Sequence, residues 1–237
     1  MQASQRVEAL AAGIDGWLSD VEGRLLYELA RSCTGRGVIV EIGSWKGRST
    51  VWLASGSKAG PGVPVHAIDP HTGSPEHRPG SARVATFEEF RANVARAGVD
   101  DIVVPLVTPS LDAAVAFTLP VELLFIDGDH AYEAVLADFH AWFPRVVDGG
   151  VIAFHDTIGW EGPERVVEEH LYRSSRFRSV RLCGSIVYGI KTQHATAAQQ
   201  ARNRYALGVK RAVQTARRLP MPRALRAAAA TVVRRVH

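Results

Sequence analysis

The sequence has few of the features that mark membrane-spanning or secreted proteins. In its 237 residues no uninterrupted apolar run approaches the roughly 20 residues needed to span a bilayer, which argues against a transmembrane helix. The stretch from Met1 to Glu8 has neither the basic start nor the apolar core of a secretory signal. The two cysteines, Cys33 and Cys183, allow at most one disulfide and fit a reducing compartment better. These absences predict a cytoplasmic protein.

Acidic side chains are missing from the C-terminal fifth of the chain. From Lys191 to His237 there are eleven Lys or Arg and no Asp or Glu, whereas residues 1–190 carry seventeen basic and twenty-four acidic residues. The formal net charge of +4 is therefore the sum of a negatively charged body and a positively charged tail. It is poor evidence that the body binds nucleic acid. We expect no nucleic acid as a partner.

The tail also differs from the body in composition. From Ala195 onward Ala, Arg and Gln dominate, which predicts two basic helices outside the core, Ala195–Leu219 and Arg223–Val236. A solvated, partly disordered tail is an equally weighted alternative. Because a basic amphipathic helix can lie on an anionic membrane, peripheral contact with the inner membrane surface is a further expectation.

Short apolar runs alternate with helical patterns over the rest of the chain, which is typical of an α/β protein with a largely parallel sheet. Ser19-Asp20-Val21-Glu22 is a capping box that predicts a helix through Ser32. Further helices are predicted from Ser49, over Phe87–Ala97, Leu111–Phe117 and Tyr132–Phe143, and from Pro163 to Tyr172. The predicted strands are continuous and β-branched, as in a sheet covered on both faces: Val38–Ile42, Val65–Ile68, Ile102–Val107, Leu123–Ile126, Val151–Phe154, Val180–Cys183 and Ile186–Ile190.

The segment Val40–Ser49 turns from the first strand into a helix through two glycines. Gly43 permits a tight turn, and Gly47 permits close approach at the start of the helix. Their spacing of four departs from the dinucleotide fingerprint, and the acidic Glu41 at the strand end is unsuited to a pyrophosphate. An acid there suits a cofactor that carries a cation, such as the ammonium of a methionine moiety.

Two later strand ends extend this cofactor hypothesis. Asp69 ends the second strand, where a carboxylate can accept hydrogen bonds from ribose hydroxyls. Ser110 opens the helix after the third strand and could meet an adenine, although a plain N-cap would look the same.

Carboxylates and imidazoles follow the fourth and fifth strands, at the sheet edge where ligands bind in α/β proteins. Asp127 and Asp156 could hold a hard cation such as Mg²⁺, and His130 could accept a proton beside it. Asp129 could instead cap a helix, and His155 could be a hydrogen-bonded turn residue. A reaction without metal, with either histidine as the base, is the open alternative.

Four segments in this order resemble the class I S-adenosylmethionine-dependent methyltransferases, in particular small-molecule and sugar O-methyltransferases of actinobacterial antibiotic and polysaccharide pathways. They are Glu41-x-Gly43-x-x-x-Gly47-x-Ser49, Ile68-Asp69-Pro70, Phe125-Ile126-Asp127-Gly128-Asp129-His130-x-Tyr132 and Asp148-Gly149-Gly150-x-x-x-Phe154-His155-Asp156. The resemblance covers about residues 15–190. It implies a Rossmann-like sheet of order 3-2-1-4-5-7-6 with the last strand antiparallel. It also implies an S-adenosylmethionine site lined by Glu41, Gly43, Ser44, Asp69, Ser110 and Asp127, with Ser49 nearby.

In metal-dependent relatives an Asp-x-x-His arrangement supplies a metal ligand and the base, which the resemblance transfers to Asp127 and His130. Such relatives often have Asp-Asn or Glu-Asp where this chain has His155-Asp156. Imidazole is a less natural ligand for Mg²⁺ than oxygen, so we expect Asp127 and Asp156 as ligands before His155, with Thr157 as an outside candidate. Mg²⁺ or Mn²⁺ is the expected metal.

The resemblance implies methyl transfer to a hydroxyl of a sugar, glycoside or similar small molecule, with His130 and His155 as candidate catalytic residues. Candidate substrate contacts are His71 and His77 in a Gly- and Pro-rich loop, and Trp17, whose ring could stack on a sugar. An ordinary surface loop and a core tryptophan are the plain alternatives. We expect N-terminal helices over residues 1–36, which could pair two subunits, a methyltransferase domain over 37–191 and the tail over 192–237.

Three other functions compete with this one. A metal-independent methyltransferase would act on a polyketide or catechol-like acceptor. An NAD-dependent oxidoreductase would need a different glycine spacing. A membrane- or nucleic-acid-associated binding protein would act through its basic tail.

Overall fold

The computed structural model describes residues 3–73 and 84–218. The helices are α1 Ala3–Ala12, α2 Asp20–Arg31, α3 Arg48–Lys58, α4 Phe87–Ala97, α5 Ser110–Ala116, α6 Tyr132–Trp142, α7 Glu161–Val167, which continues as a π-helical turn over Glu168–Tyr172, and α8 Ala197–Arg218. The strands are β1 Val38–Ile42, β2 Val65–Ile68, β3 Val103–Leu106, β4 Val121–Ile126, β5 Val146–Phe154, β6 Phe177–Cys183 and β7 Ile186–Lys191.

The seven strands form one sheet in the order β3-β2-β1-β4-β5-β7-β6, which confirms the predicted order. Strands β1 to β5 pair in parallel, and β7 runs antiparallel to both β5 and β6. Ile42 lies opposite Ile68 and Ile126, and Ile126 lies opposite Phe154. The residues that follow these positions therefore meet at one edge of the sheet.

Successive residues of the central strands pack into two apolar layers. Val40 and Ile42 join one buried cluster, and Ile39, the residue before Val40, joins the other. The glycine-free strand β4 is buried along its whole length. Both faces of the sheet are therefore covered, which is why these strands read as continuous apolar runs rather than as an alternating pattern.

Strands β4, β5 and β6 begin earlier than predicted, and β5 and β6 each contain an irregularity. Strand β5 runs through Gly149, which has a φ of +81°, and the register with β4 shifts between Val121 and Leu123. Strand β6 contains Ser179 at a φ of +54°, and its register with β7 shifts there as well. Bulges interrupt the pattern that sequence analysis reads, so the prediction started each strand after its bulge.

The prediction that the basic tail lies outside the core is wrong for α8. This helix packs on β6, where the buried Asn203 accepts a hydrogen bond from Val180 N (3.1 Å) and donates one to Phe177 O (2.9 Å). Its Lys210 is fully buried, with Nζ 3.0 Å from Glu164 Oε1. The amide of Asn203 therefore covers the edge strand of the sheet. The second predicted helix, Arg223–Val236, lies outside the described residues.

Within the described ranges, no helix is long and apolar enough to cross a membrane.

Candidate active site

The site lies where β1, β2, β4 and β5 end. Gly43 follows β1 with a φ of +86°, and a Cβ on it would lie only 2.0 Å from Asp127 O. Any side chain at this position would collide with the backbone after β4, so the close approach of the two strand ends requires glycine.

Two cavities open at this edge and share one wall. The larger, about 500 Å³, extends over the ends of β2 and β3 and along α6. The smaller, about 300 Å³, extends toward the N-terminal segment and the end of β5. The residues common to both are Gly43, Trp45, Asp127 and Gly128. A ligand lying across the glycine turn would therefore contact both cavities.

Glu41 is fully buried behind the glycine turn and lines neither cavity. Burial raises the pKa of its carboxyl to about 8, and the hydroxyls of Ser49 and Thr50 in the first turn of α3 oppose this rise. Its Oε2 accepts a hydrogen bond from Thr50, whereas its Oε1 has no partner among the described residues. Ser44 and Ser49 line the smaller cavity in front of it.

Asp69 faces the larger cavity and braces two residues with unusual backbone conformations. Its Oδ2 accepts a hydrogen bond from Trp45 N (2.7 Å), and its Oδ1 accepts one from His71 N (2.6 Å). Trp45 and His71 have φ values of +45° and +55°. Each carboxylate oxygen keeps a second lone pair, so Asp69 could still accept hydrogen bonds from ribose hydroxyls.

The predicted substrate residue His71 turns away from the cavities, and this corrects the prediction. Its Nδ1 lies 2.9 Å from Thr86 Oγ1, and its ring packs against Phe87 and Phe90. Burial lowers the pKa of this imidazole, and Asp69 opposes the shift. The ring helps to hold α4 against the end of β2. His77 lies outside the described residues.

Ser110 lines the larger cavity, but its hydroxyl does not cap α5, whose N-cap is Pro109. Ser110 Oγ instead accepts a hydrogen bond from Trp142 Nε1 (2.8 Å) and lies beside the carboxyl of Asp138. Burial raises the pKa of Asp138 to about 6, and the Ser110 hydroxyl opposes the rise. Sequence analysis missed Asp138 because its place on the buried face of α6 looks like ordinary helix packing.

Asp127, His155 and Asp156 come together at the ends of β4 and β5. His155 Nδ1 lies 3.0 Å from Asp127 Oδ1 and 3.1 Å from Asp156 Oδ2. Burial raises the pKa of Asp127, whereas for Asp156 the effect of burial is outweighed by His130 and His155, which hold its pKa well below the usual value. Burial alone would lower the pKa of His155, but the surrounding carboxylates raise it to about 12.

The third carboxylate near His155 is Glu22, in the first turn of α2. The predicted capping box is confirmed: the Ser19 side chain accepts from Glu22 N, and Glu22 Oε2 accepts from Ser19 N (2.8 Å). Glu22 Oε2 also lies 3.6 Å from His155 Nε2, and its Oε1 accepts hydrogen bonds from the backbone and hydroxyl of Ser185. Sequence analysis gave Glu22 only a capping role, because the contact with His155 depends on tertiary structure.

His130 lies at the wall of the smaller cavity and contacts Asp156, with Nε2 3.0 Å from Asp156 Oδ2. Its ring stacks on Trp160 with a centroid distance of 4.1 Å and an interplanar angle of 14°. A Cβ on Gly162 would lie 2.1 Å from His130 O, so a glycine at the start of α7 allows this close packing. Sequence analysis did not single out Trp160.

Trp17 is not a core residue: it is 68% exposed at the mouth of the smaller cavity. Its ring lies 6.3 Å from that of Trp45, and Arg48 holds the preceding loop by donating to Gly16 O at 3.1 Å. Trp160, 41% exposed, lines the same cavity. Two partly exposed indoles therefore flank an opening that leads to Asp127 and His155.

The acid and imidazole group fits a divalent cation in its donor chemistry. One ligand atom from each of Asp127, His155 and Asp156 lies within 4.8 Å of the others. Two carboxylates and one imidazole suit Mn²⁺ better than Mg²⁺, which prefers oxygen. Thr157 is excluded from this set because it is buried and its hydroxyl donates to Ser185 O at 2.6 Å. Asp129 turns away to accept a hydrogen bond from Ala131 N (2.7 Å).

Comparison with known proteins agrees with this geometry. Residues 40–157 match a family model described as a methyltransferase domain. The catechol O-methyltransferase of Mycobacterium tuberculosis is 34% identical over 142 residues, which make up 60% of this chain and 56% of that protein. The chain spans about half the length of the curated relatives it matches.

Solved structures with the same fold include two O-methyltransferases. TomG from Streptomyces achromogenes, involved in tomaymycin synthesis and solved with S-adenosylmethionine, has a TM-score of 0.57 and 20% identity, covering 81% of this chain and 90% of that chain. An enzyme from Bacillus cereus, solved with S-adenosylhomocysteine, has a TM-score of 0.56 and 22% identity, covering 81% of this chain and 91% of that chain. Residues 40–157 therefore belong to the methyltransferase family that this model describes, and the chain has the fold of these two O-methyltransferases.

Proposed function

We propose that this protein transfers a methyl group from S-adenosylmethionine to a hydroxyl of a small molecule, with a glycoside as the first candidate. The shared wall between the two cavities supports this most strongly, because it would place a donor in the larger cavity against an acceptor in the smaller one. Bringing two reactants together in line is the main contribution a protein makes to such a transfer.

The donor would lie across the glycine turn. Asp69 would accept hydrogen bonds from the ribose, and the methionine end would pass Gly43 and Ser44 toward Asp127. Glu41 would act from behind the turn, through the first turn of α3, rather than by direct contact. S-adenosylmethionine supplies a methyl group already activated on a sulfonium, so the protein's remaining task is to handle the proton of the acceptor.

His130 is the proposed base. In the proposed reaction the His130 ring would accept the proton of the acceptor hydroxyl, and Asp156, whose Oδ2 lies 3.0 Å from His130 Nε2, would orient the ring. His155 is a poor base by comparison, because the carboxylates on both sides of its ring keep it protonated. His155 would instead orient Asp127 and Asp156.

Asp127, Asp156 and His155 would hold a divalent cation, Mn²⁺ or Mg²⁺. When bound, such an ion supplies Lewis-acid polarisation of an acceptor hydroxyl and lowers its pKa. His155 would have to give up its Nδ1 proton to serve as a ligand, so metal affinity should fall as the pH is lowered.

The acceptor would enter between Trp17 and Trp160. Flat, amphipathic indoles pack well against the apolar face of a sugar ring while leaving its hydroxyls free for the polar floor. Pairing of subunits through the N-terminal helices and peripheral membrane contact through the basic tail after α8 are further parts of this proposal.

Metal-independent transfer to a catechol-like acceptor is the second candidate. Two observations favour it: the matched relative is named a catechol O-methyltransferase, and His155 already places a positive charge between the acidic side chains. Aromatic acceptors would also stack on the two indoles.

A transfer assay separates these candidates. Labelled S-adenosylmethionine is incubated with panels of glycosides and catechols, after chelation and again with added Mn²⁺ or Mg²⁺. We expect label on a glycoside hydroxyl, loss on chelation, recovery with metal, and no recovery for Asp127→Ala. Full activity after exhaustive chelation would favour the metal-independent candidate, and transfer to no hydroxylated compound would contradict both.

A further inference from the structure

The larger cavity has a largely apolar section beside α5 and α6. Its walls are Ile68, Pro109, Leu111, Ala134 and Ala137, and the nearby polar side chains are those of Ser110 and Asp138. Asp69, which follows β2, lines the same cavity. A slot with apolar walls and a few polar groups suits a planar heterocycle, which in the proposed function is the adenine of the donor.

The polar pair in this slot has a defined hydrogen-bond direction. The Trp142 Nε1 group can only donate, so Ser110 Oγ must accept its hydrogen at 2.8 Å. The hydroxyl hydrogen of Ser110 is then available to the Asp138 carboxyl beside it. Both the lone pair and the hydrogen of the Ser110 hydroxyl are thereby used, and Asp138, about one turn before Trp142 on the same helix, is the side chain of this pair left to meet a ligand.

We propose that Asp138 recognises the 6-amino group of the adenine and makes the donor site selective for adenine over 6-oxopurines. A carboxylate accepts hydrogen bonds and donates none, so it attracts the amino edge of adenine and repels the carbonyl edge of hypoxanthine. The carboxylate is only 8% exposed, so water cannot replace the lost partner when the wrong base is bound. This inference rests on the proposed use of S-adenosylmethionine.

The buried carboxylate of Asp138 should lower the stability of the ligand-free protein. Burial raises the pKa of Asp138 to about 6, which means that the ionised form is disfavoured in the folded protein. An isosteric amide should therefore give a free protein that is at least as stable as the parent. A residue that served folding alone would show the opposite behaviour, so stability and selectivity should change in opposite directions.

The test uses Asp138→Asn with Asp112→Asn as its matched control, since Asp112 is an exposed acid of the same cavity. S-adenosylhomocysteine and S-inosylhomocysteine, which differ only in the 6-substituent of the purine and the accompanying hydrogen on N1, are titrated into each protein by calorimetry at pH 8. The parent and Asp112→Asn should prefer the adenosyl compound by ~100-fold or more. Asp138→Asn should bind it ~10–100-fold more weakly, lose most of the preference, and melt no earlier than the parent.

An Asp138→Asn protein that keeps the parental preference would overturn the inference, and so would an equal loss of preference in Asp112→Asn. If the parent binds S-adenosylhomocysteine tightly yet does not discriminate against the inosyl compound, only the role of Asp138 fails. If the parent binds neither compound, the proposed function fails and the role of Asp138 with it.

Discussion

At the scale of single residues, Glu22 contacts more parts of the site than its capping motif predicted. It caps α2, accepts two hydrogen bonds from Ser185 in the turn between β6 and β7, and lies beside His155. A Cβ on Gly184, the residue before Ser185, would lie 2.4 Å from Glu22 Oε1. Helix α2 and the β6–β7 hairpin therefore meet at one carboxylate next to the proposed reaction centre.

Replacing this carboxylate should weaken the fold in a pH-dependent way. Burial would raise the pKa of Glu22, but His155, Ser19 and Ser185 lower it to about 2. A depressed pKa in the folded state contributes stability above the unfolded value of about 4.5, and the contribution is lost as the pH falls toward 2. Glu22→Gln should lower the free energy of unfolding by ~1–3 kcal/mol at pH 7.

Urea unfolding at pH 7 and at pH 3 checks this prediction. The gap between Glu22→Gln and the parent should shrink at the lower pH. Glu28→Gln, which removes an exposed acid from the same helix, serves as control and should change stability by no more than ~0.5 kcal/mol. A pH-independent gap would mean that the Glu22 charge is not the source of the effect.

At the scale of elements, the parallel strands explain why much of the candidate site could be predicted from the sequence. Strands β1, β2 and β4 were predicted to end within a residue of their observed ends, and parallel register brings such ends together. The grouping of Asp127, His155 and Asp156 follows from this rule. The direction of a side chain does not follow: His71 turns into the protein to pack on two phenylalanines, because the loop after Asp69 adopts a positive φ.

The glycine turn after β1 should tolerate no side chain. Gly43→Ala must place its Cβ against Asp127 O and adopt a left-handed conformation, so we expect a loss of at least ~2–4 kcal/mol in unfolding free energy. Gly62→Ala is the control, since it has a φ of +69° but open space around it, and should lose ~1–2 kcal/mol. Chemical denaturation measures both. Equal losses of unfolding free energy in the two variants would show that the close contact of the new Cβ with Asp127 O does not destabilise the protein.

A substitution in α8 tests whether this helix stabilises the edge of the sheet. Asn203→Ala leaves Val180 N and Phe177 O without their amide partner, which should cost ~1–3 kcal/mol in unfolding free energy. Arg204→Ala changes the exposed neighbour and should be nearly neutral. Thermal and urea unfolding of the full chain compare the two. A neutral Asn203→Ala would mean that α8 does not stabilise the sheet edge.

At the scale of the whole molecule, charge is less segregated in space than along the chain. Lys210 and Arg211 of the basic helix pair with Glu164 and Glu168 of the acidic body. Composition alone placed this basic helix outside the core, because a sequence does not show which acidic side chain each basic side chain contacts. The helix α8 instead packs on β6 and pairs with acidic side chains of α7 and the π-helical turn that follows it.

The central claim is that one cavity binds S-adenosylmethionine and the adjoining one performs the proton transfer. Calorimetric titration of S-adenosylmethionine into the parent, Asp69→Ala and His130→Ala tests this division, with an unfolding temperature for each variant. We predict binding by the parent, ~10–100-fold weaker binding by Asp69→Ala, and parental binding by His130→Ala, whose methyl transfer should fall ~10²–10⁴-fold. A parent that does not bind S-adenosylmethionine, or a folded Asp69→Ala that binds it as tightly as the parent, would contradict the account.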